Sequence, residues 1–295
     1  MSEAELRGIV EDIVRDVVDK EIEAQKEQLT NSLATRHDNP SETEEVEIII
    51  AANWKMNKNV QEMETFLKKF KSLYTPSPKI RVLICPPSYL LLLTSQQLIG
   101  TQIYLGAQNM HYESQGAFTG EISPTMLLDA GCQYVILGHS ERRHIFGEDD
   151  KLINKKVNAA LKNGINPILC IGETLEQRKE GSTFRIVKNQ LLGGLQEIGI
   201  EKVSNVVVAY EPVWSIGTGI TATPEQAQKV HEYIREILTT VYNHQVAQKL
   251  RILYGGSVKP ENARALITQP DVDGSLIGGA SLDPVKFNDI IDVSQ

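Results

Sequence analysis

At 295 residues the chain is long enough to bury a substantial core, and single α/β barrels often run to ~250 residues. Hydrophobic residues make up 41% and charged residues 23%, the balance of a soluble globular protein, and no apolar run reaches the ~18 residues of a membrane span. The net charge of −8 argues against a large basic face and so against nucleic-acid binding.

That charge is unevenly placed. Of the 38 acidic and 30 basic residues, 13 and 5 fall within residues 1–46, so the N-terminal extension carries the whole excess and the remainder is neutral. The chain therefore divides near Val46 into an acidic extension, residues 1–46, and a body, residues 47–295. The extension lacks the basic start and apolar core of a signal peptide, and its acidic residues do not suit a transit peptide. Three widely spaced cysteines, Cys85, Cys132 and Cys170, give no disulfide framework and suit a reducing compartment; a cytoplasmic location is expected.

Within the extension, residues 3–29 read as an amphipathic helix. Leu6, Ile9, Val10, Ile13, Val14 and Val17 fall within an arc of about 140° at 100° per residue, wider than a two-stranded coiled-coil seam. Residues 31–45, with Pro40 and many Ser, Thr, Asp and Glu, read as a flexible linker. The helix is expected to dock into a protein partner's groove; residues 6–20 are weakly similar to anchoring helices that bind four-helix dimerisation domains. Self-association or packing on the body is the second reading. Binding to anionic membrane is a third, disfavoured by the negative charge.

From Glu47 onward, short apolar runs alternate with helical spacing. Strands are expected at 47–52, 80–84, 103–107, 134–137, 166–170, 205–209, 250–253 and 273–276. They are rich in Val, Ile and Leu and too continuous to face water, as parallel strands covered on both faces are. Helices are expected at 60–73, at 149–162 before the Asn163-Gly164 stop, and at 223–242 behind Thr223-Pro224-Glu225. Eight such alternations predict a closed (β/α)₈ barrel; an open doubly wound sheet would usually have fewer strands.

In such barrels function gathers at the C-terminal strand ends. There stand Asn53-Trp54-Lys55 after the first strand, Gly138-His139-Ser140-Glu141 after the fourth and Tyr210-Glu211-Pro212 after the sixth. Tyr254-Gly255-Gly256-Ser257 follows the seventh and Gly278-Gly279-Ala280-Ser281 the eighth. Taken singly, Lys55 reads as a solvated lysine, His139 as a structural histidine, Glu211 as a loop carboxylate and the Gly pairs as turns. Together on one rim they say more. Glycines let backbone N–H groups approach an anion, and barrel phosphate sites usually come from the loops after strands seven and eight. Lys55 adds positive charge. Glu211 suits a general base acting on a carbon-bound proton next to a carbonyl. His139, at the start of a short helix, would be kept neutral and able to donate to a carbonyl oxygen. Pro212 to Gly219, bulky in the middle and small at the far end, has the composition of a lid.

Residues 47–295 resemble the triosephosphate isomerase family along their whole length. The resemblance rests on NWKMN at Asn53, GHSERR at Gly138, YEPVW at Tyr210, IGTG at Ile216, YGGS at Tyr254 and GGAS at Gly278, in the family's order. It implies interconversion of dihydroxyacetone phosphate and glyceraldehyde 3-phosphate with no cofactor and no metal. By the family pattern Glu211 is the base, His139 the electrophile and Lys55 the electrostatic clamp, a pairing of carboxylate and neutral imidazole long established for that family. Asn53, Gly217, Ser257, Gly278 and Gly279 match substrate-binding positions, and Ser140, Glu141 and Cys170 match positions that support the catalytic groups. Ser215 departs from the family's usual alanine, and Lys58 from the glycine that often follows NWKMN. Residues 108–123 resemble the family's interdigitating loop, which implies a homodimer. Two rival functions remain: an aldolase with Lys55 as Schiff base, and a catalytically idle barrel serving as a scaffold for the N-terminal helix.

Overall fold

The computed structural model describes residues 48–216 and 221–295. The helix expected over 3–29, the linker over 31–45 and Gly217 lie outside the described residues.

Eight parallel strands close into a barrel in chain order. They are β1 (Ile48–Asn53), β2 (Ile80–Cys85), β3 (Ile103–Ala107), β4 (Tyr134–Leu137), β5 (Asn166–Ile171), β6 (Val207–Tyr210), β7 (Arg251–Tyr254) and β8 (Gly274–Ile277). The seam is the pairing of β1 with β8, where Ile49 lies opposite Gly274. Gly274 has φ +134, and a Cβ there would lie 2.0 Å from the Ile49 carbonyl oxygen, so the seam requires glycine.

Side chains alternate across each strand and divide the core in two. Ile49, Ala51, Ile136, Ile168, Cys170, Val207, Ala209, Leu253 and Leu276 fill the barrel interior. Ile50, Ala52, Val135, Leu137, Leu169, Val208 and Ile252 point outward to the helices. The helix Val60–Leu73 answers them with Met63, Phe66, Leu67 and Phe70, spaced three and four apart on one face. Each such fully buried apolar side chain contributes about 1.5–3 kcal/mol. Asn59 opens this helix in a capping box with Glu62. Thr223 caps the helix Pro224–Val241 in the same way, with Gln226 as its partner. The helix Asp150–Lys162 stops where Asn163 and Gly164, at φ +76, turn the chain.

Strand existence follows the apolar runs, while several ends differ by a residue or two. β6 begins at Val207 because the amides of Asn205 and Val206 still close the turn of the helix Ile200–Val203. Leu250 caps the preceding helix, so β7 begins at Arg251. No helix among the described residues is long and apolar enough to cross a membrane. All three cysteines are free and buried, and burial pushes the Cys132 thiol up to about 12.

Candidate active site

The inward row of each strand, extended one step past the sheet, sets the floor of the C-terminal mouth. Ile49 and Ala51 lead to Asn53, Val207 and Ala209 to Glu211, Leu253 to Gly255 and Leu276 to Gly278. A cavity of about 700 Å³ opens there, and Asn53, Lys55, His139, Glu211, Ser257, Gly278 and Gly279 all line it.

Glu211 and His139 meet inside this cavity and are both buried. Glu211 Oε1 lies 3.0 Å from His139 Nε2, and Oε2 accepts the Ser140 amide at 2.8 Å. His139 caps the short helix Ser140–His144, and its Nδ1 accepts the Glu141 amide at 3.2 Å. An Nδ1 that accepts carries no proton, so the hydrogen of the neutral ring sits on Nε2 and points at Glu211. Burial raises the Glu211 pKa, but His139, the Ser140 amide and Lys55 outweigh it and hold the carboxyl below its usual range. For His139, burial pulls downward and the Glu211 carboxylate upward, with the balance upward. That upward pull comes chiefly from Glu211 and would go with the carboxylate if it turned toward a substrate.

Lys55 sits in a strained backbone conformation, with φ 51. A non-glycine residue there costs about 1–2 kcal/mol, and such strain persists only where neighbours hold it. The neighbours are Asn53, whose Oδ1 accepts the Lys55 amide at 3.0 Å, and Gln108, whose Nε2 donates to the Lys55 carbonyl at 2.9 Å. The Lys55 ammonium bonds Glu141 Oε1 at 2.7 Å, and its stem passes Gly278, whose added Cβ would sit 3.6 Å from Lys55 Cε.

Across the cavity lie the two glycine turns. The amides of Gly256, Ser257, Gly278 and Gly279 have no acceptor among the described residues, and all four residues line the cavity. Free amides facing a shared hollow make an anion cradle. Gly255 is not part of it. Its amide donates to the Tyr210 carbonyl at 2.7 Å, and a Cβ there would come within 2.8 Å of Glu211 Cγ.

Comparison with known proteins bears on the whole barrel. The sequence profile of the family described as triosephosphate isomerase matches residues 48–294. The chain belongs to the triosephosphate isomerase family. It is 52% identical over 242 residues to the triosephosphate isomerase of Carboxydothermus hydrogenoformans, covering 82% of this chain and 96% of the relative. The triosephosphate isomerase of Endomicrobium trichonymphae is 48% identical over 247 residues, 84% of this chain and 98% of its own. That of Symbiobacterium thermophilum is 50% identical over 239 residues, 81% and 93%. The chain is an isomerase.

In this member of the triosephosphate isomerase family, residues around the rim also do work that sequence reading overlooked. Glu173, fully buried just after β5, accepts from Tyr210 Oη, Trp214 Nε1 and Arg178 Nη1 at 3.0 to 3.2 Å. The Arg178 guanidinium stacks 4.4 Å over the Trp214 ring. Glu173 thus ties the start of the expected lid to the barrel. A Cβ on its neighbour Gly172 would lie 1.8 Å from the Glu211 carbonyl oxygen. The signal was there: Gly172-Glu173 follows an apolar strand as the other rim motifs do. Of the expected supporting residues, Ser140 and Glu141 touch Glu211 and Lys55 directly. Cys170 is buried in the barrel interior, with its thiol 3.9 Å from the Ile168 carbonyl and its own carbonyl accepting from Arg143 at 3.0 Å. Ser215 is buried beside the lid's first turn, its hydroxyl donating to the Pro212 carbonyl at 2.9 Å.

Proposed function

We propose that the cavity binds a phosphorylated triose and interconverts dihydroxyacetone phosphate and glyceraldehyde 3-phosphate through an enediolate. The observation that carries this reading is the buried Glu211 carboxylate beside His139, at 3.0 Å, in the cavity that also holds the free glycine amides. In it, Glu211 turns from the Ser140 amide and takes the proton from the carbon next to the substrate carbonyl. The C–H electron pair becomes the C=C bond, and the carbonyl oxygen takes the charge. His139 passes its Nε2 proton to that oxygen and takes the proton of the hydroxyl on the carbon just deprotonated. The charge so moves to the second oxygen, which becomes the new carbonyl, and Lys55 meets the charge with its ammonium. Protonated Glu211 then returns its proton to the neighbouring carbon. A positioned base supplies about 10²–10⁴ of rate, and fixed donors in a water-poor site supply more. Asn53 orients the substrate, while Ser257, Gly278 and Gly279, with Gly217 of the lid, hold the phosphate. Ser140, Glu141 and Cys170 support the reacting groups from behind.

A coupled isomerase assay on the full chain and on residues 47–295 tests this. Both forms should turn over triose phosphate with the same kcat, because the extension is read as a partner-docking or self-association element. Borohydride should trap no adduct. Absence of turnover in both forms would leave the idle scaffold as the better account; a large loss only in the shorter form would mean that the extension supports the barrel.

The reading includes a homodimer through the 108–123 loop. Support comes from apolar side chains left in water beside the site: Met56 is 95% exposed, Phe146 65% and Phe118 42%. A second cavity of about 360 Å³ runs between Asn53, Lys55 and His139 on one side and Gln108, Met110 and Gly120 on the other. Light scattering should give twice the chain mass; a monodisperse monomer with full activity would end this part of the reading.

A further inference from the structure

Lys58 is a lysine where the backbone favours glycine, with φ 74. Its side chain does not trail into solvent. The ammonium donates to the Leu282 carbonyl at 2.9 Å, across 224 residues of sequence. On the way it passes over the rings of Trp54, at 5.2 Å, and Phe66, at 4.6 Å. The Lys58 carbonyl accepts from the Tyr89 hydroxyl, which holds the turn from its other side. Trp54, fully buried, donates from Nε1 to the next carbonyl back, that of Ser281, at 3.2 Å. Two long-range bonds thus run from the loop after β1 to consecutive carbonyls of the 3₁₀ turn Gly279–Leu282. The hydroxyl of Ser281 in turn donates to the Ile277 and Gly278 carbonyls, at 2.9 and 2.7 Å, and so holds the two peptide units whose other ends, the Gly278 and Gly279 amides, lie at the cavity. There the amides of Gly278 and Gly279 have no acceptor among the described residues, and Leu282 itself lines the same cavity.

We propose that Lys58 is a positioning residue for the anion-gripping turn after β8, holding its far end so that the Gly278 and Gly279 amides stay aimed at a bound phosphate group. The proposal rests on the phosphate-binding reading above and deepens it. Lys58 acts through the turn and not by touching substrate; the ammonium is engaged by a carbonyl and two aromatic faces, and the carboxylates of Glu62 and Asp283 contribute to its surroundings. The left-handed backbone is tolerated because the side chain it projects gains those contacts.

The experiment uses the full chain with inorganic phosphate as the probe. Lys58→Met keeps most of the stem and removes the donor and the charge. It should raise the inhibition constant for inorganic phosphate and the KM for triose phosphate about fivefold to tenfold, with a smaller change in kcat. Lys58→Arg, which can still reach a carbonyl, should stay within about twofold of the native values. Lys58→Gly suits the backbone and lacks the ammonium, so it gives the same readout as Lys58→Met even if the latter folds poorly. An unchanged phosphate inhibition constant in both Met and Gly variants would overturn the proposal, as would a fall in kcat and melting temperature with KM untouched. If native protein neither isomerises triose phosphate nor is inhibited by phosphate, the phosphate-binding reading itself has failed, a result distinct from a silent Lys58.

Discussion

Glu211→Asp lowers kcat by about 10²-fold or more, because the shorter side chain draws the base back by ~1 Å from the proton it must take. The backbone should not register the change, since the residue's amide still bonds the Ile171 carbonyl at 2.7 Å. Melting temperature within a degree or two of native, together with the kinetic loss, is the expected pair of results. Glu211→Gln should lose more, up to about 10⁴-fold, since the amide keeps the length but cannot accept the proton. A barrel used only as a scaffold would show neither loss, and equal activity of native and Asp forms in a coupled assay would sink the assignment of Glu211 as base.

Gly172→Ala is the second large effect. The added methyl would lie 1.8 Å from the Glu211 carbonyl oxygen, and the obstructing atom is backbone, so it cannot swing away. Either β5 or the strand end bearing Glu211 must move. Overpacking of this kind costs about 1–3 kcal/mol, which lowers the melting temperature by roughly 2–4 °C for each kcal/mol in a domain of this size. Displacing the base by even ~1 Å adds a kcat loss on the order of 10²-fold. Thermal melts followed by circular dichroism and a steady-state assay read both. Native-like values in both would mean that β5 has more slack than the close approach implies.

Much of the barrel could be read in advance because its parallel strands are covered on both faces. The run 134–137 is apolar throughout and 80–84 is broken only by Arg81, and that continuity survives without knowledge of neighbours. The ends were less legible: where β6 starts depends on whether the amides of Asn205 and Val206 still serve the preceding helical turn. Glu211, His139 and Lys55 could be brought together from sequence since each stands at a strand end, and strand ends share a rim. Glu173 also stands at a strand end, but that placement does not reveal its task of reaching Trp214, 41 residues on. Gly255 looked like part of an anion cradle by composition, yet its amide serves the sheet and its bare Cα makes room for Glu211. Lys58 stood out only as a departure from glycine; its partner carbonyl lies at the other end of the chain.

Each sulfhydryl in this chain is sealed inside the barrel or beneath its helices, and burial disfavours the thiolate at every one of them. Alkylating and oxidising agents attack the thiolate, so native molecules offer them almost nothing. The rate at which such a reagent labels the chain therefore clocks how often the cylinder opens.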